Sequence, residues 1–120
     1  NMMEAVRHAL MVNRLSRNSA SAVTARDALR WGTEGSAACL GRTDIGRIAV
    51  GMQADLAFFT LGELRFSGAH DPIAALVLCG ATRADRVMVA GRWRVVDGQP
   101  VGLDLTRLRR EHGDAARRFA

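Results

Sequence analysis

The sequence predicts an α/β chain, with helices toward both ends and short antiparallel strands between them. Three observations carry this expectation. Residues 1–41 hold two stretches whose apolar residues recur with helical spacing, each preceded by a residue that caps helix N-termini, Asn1 and Thr24. Residues 86–98 hold two apolar-rich runs separated by Ala90-Gly91 and closed by Asp97-Gly98, dipeptides that mark tight hairpin turns. Between them lies Asp44 to Thr60, DIGRIAVGMQADLAFFT, which reads as two short strands about a turn at Gly51.

The first helix is expected from Met2 to about Arg17, with Asn1 as N-cap and Glu4 in the first turn, where an acid suits the helix dipole. Met2, Met3, Ala5, Val6, Ala9, Leu10 and Val12 spread over about half its circumference, wide enough for a helix wedged between neighbours on a larger body. Asn13 falls inside that arc and needs a hydrogen-bond partner if buried. Residues 16–21 are loop. Thr24 opens the second helix, with Asp27 placed for a capping box and Gly41 for a left-handed end. Gly32 and Gly35 lie on its uncharged face, and each costs a helix about 1 kcal/mol relative to alanine. They make sense if that face presses against another backbone.

The run Leu56-Ala57-Phe58-Phe59 is apolar throughout, as in a strand covered on both faces. Residues 61–71 have no period and read as loop. Asp71 caps and Pro72 starts the short apolar stretch 73–79, a helix or a strand, which Gly80 ends. Alternation in Arg92-Trp93-Arg94-Val95 gives that strand a wet and a dry face. From Asp104 a charged, exposed helix is expected.

Composition bounds function. At 120 residues, 48% hydrophobic and 24% charged, the chain is an ordinary globular sequence without a run long enough to cross a membrane. It lacks the basic-then-apolar layout of a secretory signal, which predicts a cytoplasmic protein. Asn1 precedes Met2, which predicts the tail of a longer polypeptide. The net charge of +5 rests on 17 basic residues, all arginine, scattered from Arg7 to Arg118 among acids, and aromatics are 5%. Scattered arginines without aromatic platforms predict solvated faces rather than a nucleic-acid groove. Cys39 and Cys79 are too far apart for a CxxC pair and sit among apolar residues, so buried reduced thiols are expected. His8, His70 and His112 are isolated, and no HxH, HExxH, GxSxG, P-loop or paired carboxylates occur. His70-Asp71 suggests a histidine–carboxylate pair, but helix capping is the expected role of Asp71.

The order of elements resembles the C-terminal end of the amidohydrolase superfamily. The residues that carry this are Thr24-Ala25-Arg26-Asp27-Ala28-Leu29, then Ala38-Cys39-Leu40-Gly41, and above all Asp44-Ile45-Gly46-Arg47-Ile48 with Gly51 and Ala54-Asp55-Leu56. Val87-Met88-Val89-Ala90-Gly91-Arg92 resembles that family's last strands. Asn1-Met2-Met3-Glu4 and the run from His70 to Leu76 look most like the metal-dependent aminohydrolase branch of 8-oxoguanine deaminases and triazine hydrolases.

The resemblance implies the last outer helices of a (β/α)₈ barrel over 1–41 and the C-terminal strands of a small β-sandwich over 42–103, with a short helix near 72–79. Residues 104–120 would be a C-terminal helix. It implies an enzyme, a homo-oligomer, that holds zinc or another divalent ion and deaminates a heterocycle through metal-bound water, with an 8-oxoguanine-like purine favoured. Triazine-type and nucleoside-type hydrolases are the alternatives. Every family ligand would precede Asn1, so no catalytic, substrate-binding or metal residue carries over, and Asn1 is at most near an active-site rim. The segment alone is expected to be inactive and to bind no catalytic metal. The rival from another class is a stand-alone basic domain for nucleic acid or protein.

Overall fold

Helix formation starts where the capping residues predict. In the computed structural model of the chain, which describes residues 1–119, Asn1 Oδ1 accepts from the backbone N–H of Met3 (3.0 Å) and Glu4 (3.4 Å), and α1 runs Met2–Ser16. Asn18, at φ 46°, ends it in the left-handed region that asparagine tolerates. Asn13 satisfies its amide on the Ala9 carbonyl at 3.0 Å. Thr24 and Asp27 form the reciprocal capping box, with Thr24 Oγ1 accepting from the Asp27 N–H at 3.1 Å and Asp27 Oδ2 from the Thr24 N–H at 3.0 Å.

The second helix is not uniform. It runs as α2 (Ala25–Arg30), a π turn (Trp31–Gly35) and α3 (Ser36–Cys39). It ends with Gly41 at φ 67°, the Gly41 N–H on Ala38 O and the Arg42 N–H on Ala37 O. Gly32 lies against α1, and a Cβ built there would stand 2.4 Å from Val6 Cγ2. Its missing side chain therefore sets the approach of the two helices, as the glycine face predicts. Gly35 has only ordinary contacts around such a Cβ.

The stretch left open between helix and strand is α4 (Pro72–Leu78). Asp71 Oδ1 accepts from Ile73 N–H at 2.8 Å, and Gly80 follows at φ 77°. Val6, Leu10, Val23, Ala25, Ala28 and Val77 form the main core among α1, α2 and α4. A second, smaller cluster of Phe66, Ala75 and Ala81, backed by Phe59, Leu61 and Leu76, joins α4 to the sheet end.

The sheet is an antiparallel meander in the order β1 (Leu56–Phe58), β2 (Arg86–Val89), β3 (Arg92–Val96), β4 (Gln99–Pro100). Both hairpin turns have positive φ at both central residues, 48° and 72° at Ala90-Gly91 and 48° and 68° at Asp97-Gly98. This is the turn geometry that matches strand twist. A bulge between Val87 and Met88 lets the β2–β3 register shift. Asp104 caps α5 (Leu105–Arg117), none of whose residues is buried.

The structure corrects several expectations. Asp44 to Thr60 holds one strand, not two. Gly46 at φ 94° and Gly51 at φ 84° fold residues 44–53 back on themselves, so Ile45 to Val50 never lies beside another strand. Leu56 is half-buried while Ala57 and Phe58 are exposed, so β1 is not covered on both faces. Cys39 and Cys79 are free but exposed, each at a helix end. The expected dry face of β3 is open at Trp93, whose ring meets Phe58 at 5.8 Å but faces no second layer. On α1 only Val6 and Leu10 are buried, while Met2 and Val12 stay exposed. Within the expected loop 61–71, a 3₁₀ turn (Leu64–Phe66) buries Phe66.

The surface is large for the mass. The chain exposes 8966 Å², where a self-contained protein of 13.0 kDa exposes about 6,300 Å². Its radius of gyration is 17.4 Å against about 13.5 Å for a compact domain of this length. No described helix is long and apolar enough to cross a membrane.

Candidate functional site

The histidines come together with nothing. His8, His70 and His112 are all exposed, and among the described residues no group of three or more histidine, cysteine, aspartate or glutamate side chains could hold a metal ion. Asp71 is used as a helix cap. Asn1 caps α1 and also donates from Nδ2 to the Thr82 carbonyl at 3.2 Å, which ties the start of α1 to the segment before β2.

The densest polar construction is the motif loop 42–55. Arg42 grips Asp44 with two bonds, Nε to Oδ1 at 2.9 Å and Nη2 to Oδ2 at 2.6 Å. Gln53 Nε2 donates to the same carboxylate at 2.9 Å, and the Gln53 N–H donates to the Asp44 carbonyl at 2.8 Å. The Arg42 bonds hold the Asp44 carboxyl below the usual carboxylate range and raise the guanidinium in turn. Gly46 backs onto the π turn and α3, where a Cβ would lie 3.1 Å from Thr33 O and 2.9 Å from Ala37 Cβ. Asp55 Oδ1 accepts from the Ala90 N–H at 2.7 Å and the Ala54 carbonyl accepts from the Gly91 N–H at 3.1 Å, so the Ala-Asp-Leu motif holds the β2–β3 turn. The two acids of this signature, Asp44 and Asp55, are both engaged in holding the fold.

Two concavities adjoin these elements. A shallow cleft of about 210 Å³ lies among Thr60, Glu63, Arg65, Thr82, Arg83 and Asp85. Its charges are already partnered. Arg65 binds Glu63 at 2.5 Å and the Gly80 carbonyl at 3.2 Å, and Arg83 donates to the Gly98 carbonyl. Asp85 accepts from the Thr60 N–H at 2.5 Å, and hydrogen bonds from Thr60 hold its carboxyl below the usual range. Its backbone also joins Phe58 and Gly98. Sequence reading did not single out Asp85. An acid directly before a strand was the available signal. A wider groove of about 480 Å³ runs along Glu34, Ala38, Arg42, Thr43, Ile45 and Arg47 beside the π turn. In this groove Arg42 is already held by Asp44. Arg42, Arg65, Arg86, Arg107 and Arg117 are ion-paired with acids.

Comparison with known proteins finds the amidohydrolase family over residues 1–94. The chain is 59% identical over 116 residues to the 8-oxoguanine deaminase of Pseudomonas aeruginosa, a match covering 97% of this chain and 26% of that protein. Among solved structures, the adenosine deaminase of Xanthomonas campestris with bound zinc superposes at a TM-score of 0.88 with 29% identity, over 98% of this chain and 27% of that one. The atrazine chlorohydrolase of Arthrobacter aurescens TC1 complexed with zinc superposes at 0.83 with 35% identity, over 91% and 25%. The chain thus spans about a quarter of the length of these proteins.

Proposed function

The chain belongs to the amidohydrolase family, and from that premise we propose that it is the C-terminal segment of a metal-dependent amidohydrolase that hydrolytically deaminates an 8-oxoguanine-like purine. The observation that carries the substrate class is the 59% identity to an 8-oxoguanine deaminase, against 35% to the atrazine chlorohydrolase and 29% to the adenosine deaminase. Residues 1–41 act in this reading as outer barrel helices, 42–103 as part of a composite sandwich and 104–120 as a C-terminal helix. The excess surface supports it, because Met2 and Val12 on α1 and Phe58 and Trp93 on the sheet are apolar residues left uncovered.

Zinc in both structural relatives supports a divalent ion in the whole enzyme. The described residues here do not fit one, since no ligand cluster exists among them. No step of the hydrolysis is assigned to them. Their part is to complete the body that holds the catalytic end.

A hybrid tests the reading. This chain would replace the matching quarter of the P. aeruginosa deaminase, and ammonia release would be followed with 8-oxoguanine, a triazine and adenosine. The expected result is a folded hybrid with its highest kcat/KM on 8-oxoguanine. A folded hybrid that prefers the triazine or adenosine, or turns over none of the three, overturns it.

A further inference from the structure

We draw no further inference here: the strongest candidate, the apolar patch of half-buried Leu105 and exposed Leu108 on the arginine-rich C-terminal helix with exposed Phe119 beyond its end, has nothing in the structure to show what covers it.

Discussion

Gly32 and Gly35 are three residues apart in sequence and opposite in consequence. A methyl at Gly32 meets Val6 Cγ2 at 2.4 Å, so Gly32→Ala forces α1 and the π turn apart and overpacking costs about 1–3 kcal/mol, more than the gain of about 1 kcal/mol in helix propensity. At Gly35 a methyl meets only the Arg30 carbonyl at 3.6 Å and Trp31 Cβ at 3.9 Å, so Gly35→Ala is expected to be neutral or stabilising. Urea unfolding should show a lowered midpoint for Gly32→Ala and a level or raised one for Gly35→Ala, and equal destabilisation would remove the close-approach account. Asp55 offers a second residue-scale test. Asp55→Ala leaves the Ala90 N–H without its carboxylate acceptor, a loss of about 1–2 kcal/mol. Amide exchange at Ala90 should speed up selectively while the α1 amides stay protected.

At the scale of elements, carboxylates hold segments together. Asp27 closes the capping box of α2, Asp44 closes the motif loop, and the Asp85 carboxylate holds the Thr60 N–H just beyond β1. All have carboxyls held below their ordinary value by hydrogen bonds, from Thr24, from Arg42 and from Thr60 respectively. A depressed folded value means that their contribution is fully present above the unfolded value of about 3.9 and is lost as pH falls through the lower folded value. Stability should therefore be level from pH 7 to about 5 and decline below about 4. Asp44→Asn should be less stable than the parent at pH 7, and the gap should shrink on acidification. Thermal melts across that range check this, and a gap constant with pH would show that the carboxylate charge is not what closes the loop.

The whole molecule is short of cover. It exposes about 2,600 Å² more than a compact protein of its mass, and its strands have no second layer. Such a chain in isolation should bind a hydrophobic dye strongly and release no ammonia from 8-oxoguanine. The dye signal should fall when the same residues sit in the hybrid deaminase. A zinc titration of the isolated chain that revealed a tight stoichiometric site would contradict the absence of ligands among its described residues.

The helices were legible because their signals are local. Asn1, Thr24, Asp71 and Asp104 cap within three residues of themselves, and Ala90-Gly91 and Asp97-Gly98 turn within two. Ile45 to Val50 misled because strand propensity without a partner strand does not make a strand, and residues 44–53 found their hydrogen bonds across the loop instead. The exposure of Cys39 and Cys79 likewise depends on neighbours that local apolarity does not reveal. The sequence by itself determined the family, through motif residues such as Asp44 and Asp55 that hold a loop and a turn. Only the tertiary structure decided what Asp55, Asp85 and Asn1 hold, because their partners lie 35, 25 and 81 residues away and meet them only in the folded chain.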